Sequence, residues 1–382
     1  MNYDFPIINN ISDVLPAIEG RDEFVVAVKE GYTVINYNVM MADTFDCNIR
    51  RECRGIIFDT ATGDIIRRPF HKFFNVNERE ETQDHVVDLS RPHAILDKLD
   101  GSMIAPFIVN GQMIWGTKMG ATDVAKPVEE FVKNNPNYQF LAEEAISNGY
   151  TPIFEWCSRK QRIVLDYQED QLILTAVRNM TTGKYAFFKA WSHLVPVVRT
   201  WDVGLEMDNK TMKSFVSYVR DLEDLEGFVV RFDDGHMIKL KCDWYVQIHK
   251  AKEAILQDRN IVELILDEKL DDIKAHLPAE DRDRLTQFES DFNLAVNKAV
   301  TGVVLVLNTI RYMGHDRKTF ALNYSHNVDG YVRPIVFKNF DDELSAQKID
   351  ADVRNTIRNN LTKTIKYEAI RDVWFNGVVF NG

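Results

Sequence analysis

Residues 93–105 read HAILDKLDGSMIA, an apolar, strand-like run with Lys98, Asp100 and Gly101 set in its middle. Side chains alternate along a strand, so Lys98 and Asp100 share one face if the extended conformation continues through them. A buried strand carries two opposite charges only where they meet a partner, because burying an unpaired charge is costly. Taken alone the K-x-D-G pattern is weak: average residue usage produces a match in roughly one chain in ten of this length. Asp-Gly is also a common turn pair, which would leave Lys98 as a solvated flank.

Residues more than a hundred positions downstream add weight to the pattern. Glu226-Gly227-Phe-Val-Val leads through a D-D-G turn into MIKLK, whose period-two alternation puts Lys239 and Lys241 on the same strand face. Two lysines facing one way on an apolar strand imply a common anion, or else an edge strand blunted by charge.

Around these segments the first two thirds of the chain read as hairpins with helices inserted. EFVVAVKEGYTVINYNV alternates across an E-G turn, CRGIIFDTATGDIIRRPF bends at T-G-D, and MIAPFIVNGQMIWGTKM carries an N-G turn between apolar runs. Helical spacing appears in TDVAKPVEEFVKNN and YQFLAEEAISNG, after which TPIFEWC, LILTAVRN and GFVVRFDDGHMIKLKC return to strand. From about residue 258 the texture changes. The last 125 residues hold only five of the eighteen glycines and two of the eleven prolines, and IVELILDEKL and DRLTQFESDFNLAVNKAVTGVVLVLNTI show i, i+3, i+4 apolar spacing. The expectation is an α+β domain of antiparallel sheets with helices over residues 1–257, then an all-helical C-terminal domain over 258–382.

Composition bounds the function. The 382 residues are 45% hydrophobic and 27% charged, an ordinary globular balance with room for two domains. A net charge of −12 argues against coating nucleic acid by bulk electrostatics, although it leaves room for a local basic cleft. No secretory leader is evident and no run reaches eighteen uninterrupted apolar residues, so no membrane is expected and the location is read as cytoplasmic. The four cysteines, Cys47, Cys53, Cys157 and Cys242, form no C-x-x-C pair, which suits a reducing compartment. Nine scattered histidines offer no zinc-ligand spacing, and the phosphate-binding loop G-x-x-x-x-G-K-[ST] of kinases is absent from the sequence.

Taken together, Lys98-Leu-Asp100-Gly101, Phe154-Glu155-Trp156, Glu226-Gly227 and Lys239-Leu-Lys241 resemble, in order and spacing, the motifs of the covalent nucleotidyltransferases, the superfamily of nucleic-acid ligases and RNA capping enzymes. Three further segments, C53-R-G-I-I-F, R68-P-F-H-K-F-F-N and K241-C-D-W-Y, together with the helical tail, look like the bacteriophage tRNA-repairing RNA ligases of the first type. The one departure is Cys242, where a small hydroxyl residue is usual. The resemblance implies a nucleotidyltransferase domain of the ATP-grasp-like ligase kind. It implies an ATP-dependent RNA ligase that joins 5′-phosphate and 3′-hydroxyl ends, working on cleaved tRNA in the cytoplasm of a phage-infected host. End-healing would fall to a separate kinase and phosphatase. A capping guanylyltransferase or DNA ligase is the alternative within the superfamily, and a non-catalytic RNA-binding protein the alternative outside it.

The chemistry suits the residues. A lysine amine that attacks the α-phosphorus of ATP forms a lysyl-adenylate and releases pyrophosphate, splitting one difficult step into easier ones. Lys98 is the expected nucleophile, with Asp100 orienting it or holding a metal-bound water, and Gly101 allowing close backbone approach to ribose or phosphate. By resemblance Arg54 and Lys72 bind the phosphates beside Phe74, Lys118 contacts nucleotide or RNA phosphate, Glu155 binds the ribose hydroxyl, Glu226 holds metal water, and Lys239 and Lys241 contact the α-phosphate. Tyr245 is assigned to the nucleotide site. Mg2+ or Mn2+ is the expected metal, and Asp271-Asp272 is a candidate second metal site. Plain readings stand beside several of these: core filling for Phe74, surface solvation for Lys118, an inward-packing helix turn for Tyr245, and a helix cap for the aspartate pair.

Overall fold

A computed structural model of the protein describes residues 4–201, 211–375, 378 and 380. The chain divides into two compact units, Met1–Val246 and Gln247–Gly382, with the cut just ahead of the change of texture near residue 258.

In the first unit, β1 (Phe24–Lys29), β2 (Tyr32–Tyr37), β3 (Ile56–Asp59) and β4 (Ile65–Arg67) pair in order as a four-stranded antiparallel sheet. Next come β5 (Phe74–Asn75), β6 (His93–Asp97), β7 (Ser102–Val109), β8 (Gln112–Gly116), β9 (Tyr150–Cys157), β10 (Gln171–Asn179), β11 (Thr200–Trp201), β12 (Gly227–Phe232) and β13 (Met237–Lys241). They build a second sheet in the order β10-β9-β7-β8 and a third in the order β11-β6-β12-β13-β5. The N-G turn between β7 and β8 has positive φ at both Asn110 and Gly111, the backbone that a tight two-residue hairpin requires.

One pairing departs from the antiparallel expectation. β5 lies parallel to β13, Ile238 opposite Phe74. Parallel neighbours need a long connection, and here residues 76–236 intervene between the two strands, so no local hairpin signal could announce the pair.

The third sheet is two-faced. Ile95, Phe228, Val230, Ile238 and Leu240 point to one side and bury against Met212, Phe215, Val216 and Val219 of the Met212–Arg220 helix. The residues between them in sequence face the other way, toward the second sheet, and that side carries the site. The second sheet is backed by the Lys126–Asn134 and Pro136–Ser147 helices through Val128, Val132, Tyr138 and Leu141.

A buried ion cluster ties distant segments together. Glu52 pairs with Arg68 at 3.0 Å and with Arg178 at 2.8 Å, and all three side chains are almost wholly buried. Burial alone would raise the Glu52 pKa, but Arg178 and Arg68 outweigh it and hold the carboxyl at about 2. Arg68 spends its remaining N–H groups on the carbonyls of Met180, Thr181 and Pro6.

In the second unit, the regular structure of the described residues is helical, from Asp258–Leu266 to Thr364–Ile370. Its longest helix, Ala279–Tyr312, is the one helix among the described residues long and apolar enough, by length and composition, to cross a membrane; 33% of its most apolar window is buried. Asn297, Lys298 and Thr301 interrupt its apolar run. Its stripe of Leu285, Phe288, Phe292, Val296, Val303 and Leu307 lies in the core of the unit with Ile335, Ile349, Val353 and Ile357.

Candidate active site

The site is laid out along the open face of the third sheet, and its register orders the residues. Gly227 pairs with Lys241 on β13, and the Lys98 N–H donates to the Gly227 carbonyl at 2.9 Å, so these three form a first rung. Val229 pairs with both Leu96 and Lys239, a second rung. Arg231 pairs with both Ala94 and Met237, a third.

Two glycines permit this closeness. Gly227 has φ +140°, and a Cβ there would stand 2.0 Å from the Leu240 carbonyl oxygen. At Gly101 a Cβ would meet the Trp156 carbonyl oxygen at 2.4 Å. The space that Gly101 leaves is taken by β9, and this seats the Lys98 turn against Glu155.

At the first rung Glu226 is the hub. Its Oε1 lies 2.6 Å from Lys98 Nζ and 3.0 Å from Lys241 Nζ, and its side chain is nearly buried. Glu155 stands nearby on β9. Burial, opposed by Lys98 and reinforced by Glu226 and Asp100, pushes the Glu155 carboxyl up to about 7.

β6 ends at Asp97, so strand alternation stops before it reaches Lys98 and Asp100. The buried Asp100 carboxylate accepts N–H groups from Val164 at 2.8 Å and Leu165 at 2.7 Å on one oxygen, and the Tyr245 hydroxyl at 2.6 Å on the other. Through these bonds it braces the Lys98 turn. Tyr245 is buried, and Lys241 Nζ sits 4.8 Å over its ring. The departure at Cys242 finds its reason here: Cys242 precedes the Asp243–Ala254 helix, and its Sγ accepts the Tyr245 N–H at 3.4 Å, the capping job of a hydroxyl residue.

Beyond Lys98 the cations continue in an arc. Lys239, partly buried, is pulled down to about 7 by desolvation first and then by Lys72, Lys98 and Arg54. Lys72 is 5.3 Å from each of the ring centres of Tyr37, Phe45 and Phe74. Lys118 is 5.5 Å from that of Tyr37. Phe74 is buried in the core and is also the platform on which Arg51, Lys72 and Arg79 lie.

Tyr37 joins these cations without having been singled out from the sequence. Burial would raise its phenol pKa, but Lys72, Arg54 and Lys118 together lower it. An acidified phenol under three cations marks where negative charge is welcome. Its only sequence signal is an aromatic at the end of a strand, which is common.

Between the second and third sheets these groups border a cavity of about 250 Å3, lined by Lys98, Leu96, Val229, Arg231, Met237, Lys239, Arg54, Glu155, Phe70 and Phe73. That is close to the lower end of small-molecule sites, about 300 Å3, and suits a heterocyclic base whose phosphates run out along the cations. Asp271 and Asp272 belong to the second unit. They occupy the first turn of the Leu270–Lys274 helix, where Asp271 is 3.6 Å from Lys274. Among the described residues no group of three or more His, Cys, Asp or Glu is arranged to hold a metal. Glu226 and Glu155 carry carboxylate oxygens, the hard donors that a divalent metal would take together with phosphate.

The chain is similar to known proteins. A family model described as RNA ligase matches residues 52–245. The chain is 31% identical over 276 residues to "Putative RNA ligase" of Thermovibrio ammonificans, covering 69% of this chain and 71% of that protein. It is 25% identical over 303 residues to RNA ligase 1 of Bacteriophage TS2126, covering 76% of this chain and 73% of that one. Among solved structures it is similar to an archaeal ATP-dependent RNA ligase at 12% identity and a TM-score of 0.44, covering 64% of each chain. The matched residues run from Glu52 to Tyr245 and so contain Lys98, Glu155, Glu226, Lys239 and Lys241, and the chain belongs to the RNA ligase family, whose members form phosphodiester bonds between RNA ends.

Proposed function

We propose that the enzyme joins 5′-phosphate and 3′-hydroxyl RNA ends in an ATP-dependent reaction through a lysyl-AMP intermediate on Lys98. The observation that carries this reading is the placement of Lys98 Nζ, 2.6 Å from Glu226, at the junction of the base-sized cavity and the cationic arc. The Lys98 nitrogen attacks the α-phosphorus of ATP, a P–N bond forms, the bond to the β-phosphate oxygen breaks, and pyrophosphate leaves. The RNA 5′-phosphate then takes the adenylyl group from Lys98, and the 3′-hydroxyl displaces AMP to make the phosphodiester. Glu226 orients the amine, Lys239 and Lys241 face the α-phosphate, and Arg54, Lys72 and Lys118 receive the phosphates beyond it, so that charge neutralisation and in-line placement supply most of the catalysis. A divalent metal bound near Glu226 would neutralise phosphate charge, and Asp271 and Asp272 are a further candidate for metal contact.

The second unit is assigned to RNA selection, with a cleaved tRNA as substrate and separate enzymes preparing its ends. Residues 258–382 hold 17 Lys and Arg against 20 Asp and Glu, so shape recognition suits them better than general charge.

Incubation with α-labelled ATP or GTP and Mg2+ tests the central step. Label should attach from ATP through an acid-stable phosphoramidate and be absent in Lys98→Ala. Label retained by Lys98→Ala would place the nucleophile elsewhere, and a preference for GTP would turn the reading to capping.

A further inference from the structure

The third rung holds a cation that the phosphate chemistry does not use. Arg231 lines the same cavity as Lys98, but it lies on β12 four residues past Gly227, about 13 Å along the strand at roughly 3.3 Å per residue. In strand register Arg231 stands one rung beyond Lys239, with Met237 opposite it.

Arg231 is held firmly and left unsatisfied. Its guanidinium carbon lies 4.7 Å from the centre of the Phe188 ring, and Phe188 is itself 1% exposed, so the planar group is pinned on a rigid surface. Its Nη1 is buried and has no hydrogen-bond partner among the described residues. A buried guanidinium N–H without an acceptor is costly, since most buried polar groups are paired. Leu96 and Val229 on the second rung offer apolar contact for the flat faces of a ring, and Met237 flanks Arg231 on the third.

The geometry points to Arg231 as the residue that reads the nucleobase: its Nη1–H donates to N1 of adenine, which selects ATP over GTP. This rests on the Lys98 adenylation proposed above. With the α-phosphorus held at the first rung and the ribose and base extending along the sheet, the base edge farthest from the glycosidic bond arrives at the third rung. On a purine that edge is N1 and C6. Adenine presents an N1 lone pair there, which matches a donor that has none; guanine presents an N1–H, which leaves two donors facing each other. A site built to hydrogen-bond a substrate atom rejects an analogue lacking it far more strongly than an apolar pocket rejects a change of size. Arg231 is thus a specificity residue, remote from the reacting atoms.

The test is the rate of Lys98 adenylate formation, as kcat/KM, with ATP, 1-deaza-ATP and GTP, in the full-length protein and in Arg231→Met and Arg231→Lys. The unaltered enzyme should lose on the order of tenfold to a hundredfold from ATP to 1-deaza-ATP, the worth of one charge-assisted hydrogen bond. Arg231→Met should fall by a similar factor on ATP and then treat ATP and 1-deaza-ATP alike. Arg231→Lys keeps the charge but not the planar fork, and should recover only part of the discrimination. If the unaltered enzyme uses 1-deaza-ATP as well as ATP, the inference is overturned whether or not a variant folds. It is also overturned if a folded Arg231→Met still discriminates as the unaltered enzyme does. Absence of any Lys98 adenylate with every nucleotide would instead overturn the adenylation reading, and this inference with it.

Discussion

The Tyr245 hydroxyl donates to Asp100 Oδ1 at 2.6 Å across 145 residues of sequence, while Oδ2 of the same carboxylate takes two backbone N–H groups. The turn that carries Lys98 is thereby tied to the start of the helix just past Lys241. Tyr245→Phe removes one donor from a buried carboxylate and should destabilise the protein by about 1–3 kcal/mol. Thermal melting checks the cost, and the adenylation rate should fall more than the fraction unfolded accounts for. An unchanged melting temperature would show that the tie is idle.

Lys239 sets a pH limb. Its pKa is lowered to about 7 by burial and neighbouring cations, so the free enzyme loses this positive charge as pH rises through about 7. The kcat/KM for ATP, which reports the free enzyme, should carry a declining limb there. In Lys239→Arg that limb should vanish, because a guanidinium stays charged.

The same shift has a stability consequence. The folded-state pKa of Lys239 lies below that of an unfolded lysine, about 10.4, so folding penalises the protonated form. The penalty is present in full below about pH 7 and is relieved as pH climbs toward about 10.4. Lys239→Met should therefore melt at or above the temperature of the parent at pH 7 while losing adenylation. A lower melting temperature would count against the desolvated amine.

Glu52 should be the most damaging single site in the first unit away from the cavity. Glu52→Gln leaves Arg68 and Arg178 buried without their counter-charge, a change that typically costs about 3–5 kcal/mol. Because the native carboxyl is held at about 2, its contribution is complete above the unfolded pKa of about 4.3 and is lost as pH falls through about 2. Acid unfolding monitored by circular dichroism, with Glu52→Gln as the comparison, checks both statements.

Truncation after residue 257 addresses the second unit. Joining of short single-stranded RNA should persist, slowed, while any preference for nicked tRNA over a linear strand disappears. Equal preference in the full-length and truncated proteins would remove the selection role, and loss of Lys98 adenylation in a folded truncation would assign Asp271 and Asp272 to the chemistry.

Much of this site was legible in the sequence because its chemistry sits on strands with regular alternation. Lys239 and Lys241 share a face by period two, and the hairpin through Asp233, Asp234 and Gly235 returns them beside Glu226 and Gly227. What escaped was set by tertiary contact. Asp100 was misplaced because alternation cannot reveal that the strand ends at Asp97. Tyr37 comes under its cations only when β2, the Lys72 segment and the turn after β8 converge, and nothing local to Tyr37 announces that. Arg231 looks like a solvated strand residue until Phe188, far away in sequence, is found beneath it.

The sulfur that caps the Asp243–Ala254 helix makes the site a reporter of its own breathing. The Cys242 thiol is buried, its Sγ–H donates to the Leu225 carbonyl at 2.8 Å, and its surroundings raise its pKa, so an alkylating reagent meets an inert group while the helix start stays docked. Reaction must await a local opening that frees that sulfur from the Leu225 carbonyl and the Tyr245 N–H. Where a hydroxyl would be chemically silent, this chain carries a clock for the opening of the Asp243–Ala254 helix start.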